Sequence, residues 1–162
     1  MRISEICNLE TKNIVQVGER RILRFRGKGD KERIVPLSKN AWNVLRNHLI
    51  RNGYMYEDGT GLMDSFIFEN ETGTRVKPYL VRKYTRKIAS EYPILAGLSP
   101  HVLRHTFATQ VNRSGVDLKT LQALLGHSQI TTTSRYLHPT PDDLMEAIDR
   151  FDKGKDDDDS DN

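Results

Sequence analysis

Residues 13–37, NIVQVGERRILRFRGKGDKERIVPL, contain the strongest strand pattern of the sequence. Apolar, often β-branched residues alternate with polar ones in three short runs, which are separated by Gly-Glu at 18–19 and by GKGD at 27–30. Alternation with a period of two is typical of strands with one buried face, and short breaks that contain glycine are typical of hairpins. The stretch therefore predicts three antiparallel strands.

Helical patterns surround these strands. Apolar residues at helical spacing begin at Ile3, and Ser38 caps an amphipathic segment that ends at Gly53. Residues 54–76 predict a loop with one short strand at SFIF, residues 65–68. Later helices are bounded by capping or breaking residues, and we predict them at residues 78–92, 100–115, 118–125, 131–138 and 142–151. The fold class is therefore α+β, mostly helical, with a small three-stranded antiparallel sheet.

Length and composition favour a single domain. The 162 residues are enough for one domain with a real core and too few for two of ordinary size. No apolar run approaches the roughly 18 residues that span a membrane, and the chain does not start with the apolar segment of a secretion signal, so we expect a cytoplasmic protein. Cys7, the only cysteine, excludes an internal disulfide and a zinc site built on cysteines.

The net charge of +3 conceals an asymmetry along the chain. Residues 152–162 carry six Asp and two Lys, so the remaining residues hold 23 basic and 16 acidic side chains, a net charge of +7. We predict one domain over residues 1–151 and an acidic, disordered tail over 152–162. A basic body is consistent with a polyanionic partner, although solvated basic faces are equally common.

One predicted helix carries residues suited to chemistry. His101, Arg104 and His105 stand at i, i+3 and i+4 and so share one face. The opposite, apolar face is predicted to contain Leu103, Phe107 and Val111.

Zinc and phosphate are the two ligands considered for that face. Two histidines at i and i+4 can bind zinc, but Val102 stands where a zincin helix has its general-base glutamate, and no third ligand is evident. An arginine between histidines suits a phosphate better, because a guanidinium group can bind two phosphate oxygens at once.

Four segments in order carry a resemblance to a known family: MRISEICNL (1–9), GKGDKERIVPL (27–37), LSPHVLRHTFATQ (98–110) and LLGHSQITTTSRYLH (124–138). They resemble the successive signature blocks of the catalytic domain of the tyrosine recombinase, or phage integrase, family. The resemblance covers residues 1 to about 140. It implies the tyrosine-recombinase catalytic fold and a partner of double-stranded DNA, whose strands are cleaved and rejoined through a 3′-phosphotyrosyl intermediate with no metal and no cofactor.

The resemblance also implies a role for six catalytic residues. Tyr136 matches the nucleophile that attacks the scissile phosphate, and Arg2 and Arg104 match the pair that clamps its non-bridging oxygens. His101 matches the residue with a base-like role. His127 matches a donor to the same oxygens.

The sixth catalytic position is a lysine. Lys28, in the turn between the second and third predicted strands, matches the family's hairpin lysine, which protonates the departing 5′-oxygen. Lys31 is its rival within the motif. His105 matches a residue beside the arginine clamp, and we expect it to support the clamp without touching substrate.

Two further surfaces carry expectations. The predicted helix over 78–92 has a basic stripe that is a candidate for contacts to the DNA backbone, or a solvated face: Arg82, Lys83, Arg86 and Lys87. The predicted helix over 142–151 has an apolar stripe of Leu144, Ile148 and Phe151. In the resembled family this segment often docks on a neighbouring protomer, so we expect a monomer in isolation and a homo-tetramer on DNA. Permanent packing on its own domain is the alternative.

Family members usually carry a DNA-gripping domain before the first arginine of the clamp. We therefore expect an N-terminally truncated catalytic domain, in which Arg2 is weakly held because it lies beside the chain end. Three alternatives stay open: a catalytically idle DNA-binding remnant, a type IB topoisomerase-like enzyme that nicks and religates DNA, and a metallohydrolase.

Overall fold

The computed structural model describes residues 1–27, 29–126 and 139–158, with side chains up to Asp152. Its helices are α1 (Ile3–Cys7), α2 (Lys39–Arg51), α3 (Pro78–Glu91), α4 (Pro100–Arg113), α5 (Leu118–Leu125) and α6 (Pro141–Asp158). Its strands are β1 (Ile14–Val17), β2 (Arg20–Arg26) and β3 (Glu32–Pro36). Short 3-10 helices lie at Thr11–Asn13 and Pro93–Leu95. The helix that we predict over 131–138 lies outside the described residues.

The three strands form one antiparallel sheet in the order β1-β2-β3, as predicted. Ile14 of β1 is paired with Leu23 of β2, and Leu23 is also paired with Val35 of β3. The two-residue turn between β1 and β2 places Gly18 at φ 59°, a left-handed conformation that glycine adopts without a steric penalty. The predicted fold class, mostly helical with a small antiparallel sheet, is therefore confirmed.

The sheet and α2 enclose one hydrophobic core, whose buried members are Leu9, Leu23, Leu49, Met55 and Ile67. The strand predicted at residues 65–68 is wrong. That segment makes only an isolated pairing between Glu10 and Phe66, with the Ile67 N–H donating to the Leu9 carbonyl at 2.8 Å. The pairing cannot extend, because the chain turns into a 3-10 helix at Thr11–Asn13.

Helices α4, α5 and α6 enclose a second core. Its buried members are Val111, Val116, Leu121, Leu124, Leu125, Leu144, Ala147, Ile148 and Phe151. Phe107 also packs against this core, so the predicted inner face of α4 is right for Phe107 and Val111. It is wrong for Leu103, which is 51% exposed because the core covers α4 only from Phe107 onward.

Helix α6 is longer than predicted and continues past Phe151 into the segment expected to be a disordered tail. Two polar contacts fix this helix to the first half of the chain. Arg20 on β2 forms an ion pair with Asp149 at 2.5 Å, and Asp152 accepts a hydrogen bond from the Lys39 N–H at the start of α2. Among the residues that the structure describes, no helix has the length and apolar character that a membrane span needs.

Candidate functional site

Three arginine side chains converge on the C-terminal end of α5. They come from the residue before α1, from β3 and from α4, and each donates a hydrogen bond to a different main-chain carbonyl: Arg2 to Gly126 at 2.8 Å, Arg33 to Leu124 at 3.1 Å and Arg104 to Leu125. The last carbonyls of a helix have no partner within the helix and carry partial negative charge. The end of α5 therefore gathers guanidinium groups from elements of both halves of the chain.

Glu5 is the counter-charge of this cluster. Its carboxylate accepts hydrogen bonds from the Arg2 N–H at 2.6 Å, from Arg2 Nη1 at 3.1 Å and from Arg33 Nη1 at 2.5 Å. Burial alone would raise the pKa of Glu5, but the hydrogen bond from the Arg2 N–H, the charge of Arg33 and the side-chain hydrogen bonds of both arginines outweigh it and lower the pKa below its usual value. Glu5 is therefore ionised at neutral pH and orients Arg2.

The cluster carries excess positive charge. Three guanidinium groups face one carboxylate, and burial together with the Arg2 and Arg33 charges lowers the pKa of Arg104. Within the described part of the chain, Arg104 Nη1 is buried and has no hydrogen-bond partner. A buried, unpaired donor on a charged group is costly, so this nitrogen calls for an acceptor that the described residues do not supply. An anion with several oxygens would supply both the missing negative charge and an acceptor for Arg104 Nη1.

A cavity of about 560 Å³ opens beside the cluster. Arg2 and Arg104 line it, and so does His101 from the first turn of α4. Two basic residues of α3, Arg82 and Arg86, also line it. Four arginines and a histidine around one cavity have the charge and the donors that binding a phosphate, or a chain of phosphates, requires.

The structure thus brings three of the six predicted catalytic residues together: Arg2, His101 and Arg104. The other three, Lys28, His127 and Tyr136, lie outside the described residues.

Some of the remaining candidate residues line the cavity and others do not. Of the basic stripe on α3, Arg82 and Arg86 line it, whereas Lys83 and Lys87 are exposed elsewhere on the helix. His105 is exposed and is not part of the described lining. Across the described ranges, no group of three or more His, Cys, Asp or Glu side chains could hold a metal ion.

Sequence reasoning missed Glu5 and Arg33 as site residues. The helical pattern marks Glu5 only as a residue near a helix start, yet its spacing of three from Arg2 places both at one helix end. Arg33 shares the inner face of β3 with Val35, and a charged residue at such a position is a signal of an internal ion pair. The expectation that Arg2 is weakly held is wrong. Its main-chain N–H and its side chain both donate to Glu5, and its side chain also donates to the Gly126 carbonyl.

Glu5→Gln is expected to destabilise the fold in a pH-dependent way. The pKa of Glu5 is lower in the folded than in the unfolded chain, so its contribution is present above about pH 4.5 and is lost as the pH falls through the folded pKa. The free energy of unfolding should therefore drop by about 2 kcal/mol at pH 7, and the difference from the parent should shrink toward pH 3. Urea unfolding at pH steps from 7 to 3 measures both values.

Glu32→Gln is the matched control, because Glu32 pairs with Arg24 on the exposed surface of the sheet. Its effect should stay within about 0.5 kcal/mol at every pH. If Glu5→Gln lowers the free energy of unfolding by the same amount at pH 7 and at pH 3, the carboxylate charge does not hold the cluster together.

Comparison with known proteins places these features in a family context. Residues 1–142 match the phage integrase family. Tyrosine recombinase XerC from Thermodesulfovibrio yellowstonii is 36% identical over 155 residues, which cover 94% of this chain and 50% of that protein. XerC from Corynebacterium glutamicum is 37% identical over 150 residues, with 93% and 46% covered. The chain spans about half the length of the curated relatives it matches.

Solved structures with similar folds are also recombinases. The XerA recombinase is 32% identical, with a TM-score of 0.64 and coverage of 92% of this chain and 52% of that chain. The XerH site-specific recombinase bound to palindromic difH substrate is 23% identical, with a TM-score of 0.63 and coverage of 99% and 41%. At that identity the XerH likeness supports the fold alone.

Proposed function

Because this chain belongs to the phage integrase family of tyrosine recombinases, we propose that it is the catalytic domain of a site-specific DNA recombinase. Its substrate is a phosphodiester of double-stranded DNA, and its reaction is cleavage and rejoining of strands by transesterification. The observation that carries the proposal is the cluster at the end of α5, where three guanidinium groups face one carboxylate and Arg104 Nη1 lacks a partner among the described residues.

Arg2 and Arg104 bind the non-bridging oxygens of the scissile phosphate. Negative charge on these oxygens grows as the phosphorus becomes pentavalent, so fixed cations stabilise the transition state more than the ground state. Glu5 and the carbonyl of Gly126 already hold Arg2, and the carbonyl of Leu125 holds Arg104. The clamp is therefore pre-organised and does not have to be reoriented when the reaction begins.

The covalent chemistry belongs to Tyr136. Its hydroxyl oxygen attacks phosphorus, the bond to the 5′-oxygen breaks, and a 3′-phosphotyrosyl link and a free 5′-hydroxyl result. A tyrosine hydroxyl has a pKa of about 10, so it needs both a proton acceptor and the arginine clamp. His101, which lines the cavity, serves as that acceptor.

Two further residues complete the proposed reaction. Lys28 supplies the proton to the departing 5′-oxygen, with Lys31 as the other candidate in the same turn, and His127 donates a hydrogen bond to the phosphate oxygens. Attack by a 5′-hydroxyl on the phosphotyrosyl link reverses the sequence and rejoins a strand. His105 supports the clamp from α4. No step requires a metal or a cofactor.

Arg82 and Arg86 hold the DNA backbone beside the scissile phosphate, since both line the same cavity as the clamp. Replacing both by alanine should weaken DNA binding and lower the slope of log affinity against log salt by about 2, one unit for each phosphate that is no longer bound. Fluorescence anisotropy at several salt concentrations measures the slope.

The matched control replaces Lys83 and Lys87, which lie on the same helix outside the described cavity lining, by alanine. This variant removes the same charge, and we expect less than half the change in slope. Equal changes for both double variants would mean that the whole stripe acts as a diffuse cationic surface.

The assembly is proposed as a monomer in isolation and a homo-tetramer on DNA. In the single chain the apolar stripe of α6 is buried against α4 and α5, which is the arrangement expected of a free monomer. Exchange of α6 to a neighbour would have to replace those contacts with equivalent ones.

Covalent trapping tests the proposed activity. The chain is incubated with a pool of duplexes that carry a nick and random flanking sequence, so that the short cleaved fragment diffuses away and the phosphotyrosyl product accumulates. A denaturation-resistant protein–DNA species is the expected result. DNA binding without that species would identify an idle remnant, and relaxation of supercoiled plasmid without strand exchange would identify a topoisomerase-like enzyme.

A further inference from the structure

Arg33 is a largely buried charged residue to which the proposed reaction assigns no part. Its side chain is 10% exposed and lies over the ring of Phe25, with 5.7 Å between the guanidinium carbon and the ring centroid. Nη1 donates to Glu5 at 2.5 Å and Nη2 donates to the carbonyl of Leu124 at 3.1 Å. One guanidinium group thus joins α1 to the end of α5.

Two glycines make room for this side chain. A Cβ atom at Gly27 would lie 2.8 Å from Arg33 Cδ, and one at Gly126 would overlap the guanidinium group. Gly126 also has φ 70°, which favours glycine by itself, but Gly27 is not among the glycines with positive φ. The absence of a side chain at Gly27 is therefore explained by Arg33 rather than by the backbone.

Arg33 bonds two groups that hold the other arginines of the cluster. Glu5 orients Arg2, and the Leu124 carbonyl belongs to the helix end whose next two carbonyls accept hydrogen bonds from Arg104 and Arg2. Arg33 itself is not among the described residues that line the cavity.

We propose that Arg33 is a positioning residue that sets the geometry of Arg2 and Arg104 around the scissile phosphate, because it fixes Glu5 and the end of α5. The proposal rests on the proposed function, since it assigns how that site is held. Its physical basis is the rigid fork of guanidinium, which holds two acceptors at a fixed separation, whereas a lysine ammonium is a single flexible point of charge. A misplacement of catalytic groups by about 1 Å can cost about 100-fold in rate.

The test compares Arg33→Met and Arg33→Lys with Arg24→Met. Arg24 lies on the adjacent strand, is 58% exposed and pairs with Glu32, so its replacement removes the same charge from the sheet surface. For each variant, covalent trapping on saturating nicked DNA gives a rate constant and an end-point fraction of trapped protein. DNA affinity and melting temperature are measured in parallel.

We expect the rate constant to fall about 100-fold for Arg33→Met and about tenfold for Arg33→Lys, with DNA affinity and the end-point fraction within twofold of the parent. Arg24→Met should change none of these values by more than twofold. If Arg33 only stabilised the fold, the end-point fraction and melting temperature would fall while the folded fraction reacted at the parent rate, and that result would overturn the proposal. If Arg33→Met does not fold, Arg33→Lys decides by the same criterion.

Amide hydrogen exchange separates this proposal from the proposed function. Exchange in the last turn of α5, which Arg33 bonds through the Leu124 carbonyl, should be about tenfold faster in Arg33→Met or Arg33→Lys and unchanged in Arg24→Met. Absence of trapped DNA for the parent chain would remove the proposed function, and the exchange result would still decide whether Arg33 positions the end of α5. Unchanged exchange in both Arg33 variants would overturn the positioning role.

Discussion

Replacing Tyr136 by phenylalanine is expected to abolish the covalent protein–DNA product and to leave DNA affinity within twofold of the parent. Phenylalanine keeps the ring and removes only the hydroxyl oxygen that forms the bond to phosphorus, so no alternative path to the phosphotyrosyl link remains. The rate should fall by at least about 10⁴-fold, which means below detection in a trapping assay. Trapping on the nicked pool and anisotropy on the same DNA measure the two quantities.

Tyr84→Phe is the matched control. Tyr84 is 60% exposed on α3, so loss of its hydroxyl should change neither trapping nor affinity. Survival of the covalent band in Tyr136→Phe would mean that another residue is the nucleophile. The catalytic roles assigned from the family resemblance would then be wrong.

Arg104→Ala is expected to reduce the rate of covalent trapping by about 10³-fold, because it removes a fixed cation aimed at charge that develops in the transition state. DNA affinity should fall much less, since many other basic residues contact the backbone. Arg104→Lys should recover only part of the rate, because an ammonium group cannot replace the fork that bonds the Leu125 carbonyl and a phosphate together.

Arg113→Ala serves as the control, since Arg113 is exposed in the last turn of the same helix. It should lower the rate less than twofold. Arg104→Ala could instead lose activity only at low DNA concentration, through weaker DNA binding, and react at the parent rate on saturating DNA. That result would show that Arg104 stabilises the bound ground state and not the transition state.

The elements of this fold could be predicted because their signals are local. The hairpin residues around Gly18, the N-cap Ser99 and the C-cap Gly126 each act within a few positions, and the boundaries that they predict agree with the structure within a residue or two. The end of α6, which has no such residue, is seven residues beyond the predicted one. The wrong prediction for residues 65–68 shows the limit of local patterns, since whether an apolar run becomes a strand depends on how long its partner stays extended.

The organisation of the site could not be predicted in the same way. Arg33 bonds Glu5 across 28 positions and Leu124 across 91, and neither separation leaves a periodic signal in the sequence. The resemblance identified Arg2, His101 and Arg104, which the structure places around one cavity. It did not indicate that the clamp is held by the carbonyls at the end of α5, because that contact exists only after both cores have formed.

Identification of the amino acid that carries the DNA tests directly whether this chain cleaves DNA through Tyr136. Trapped complex is digested with nuclease and protease, and the modified peptide is sequenced by mass spectrometry. We expect a nucleotide joined through its 3′-phosphate to Tyr136, and a free 5′-hydroxyl on the released strand. A nucleotide on any other residue, or a 5′-phosphate linkage, would show that Tyr136 is not the nucleophile of a 3′-phosphotyrosyl intermediate.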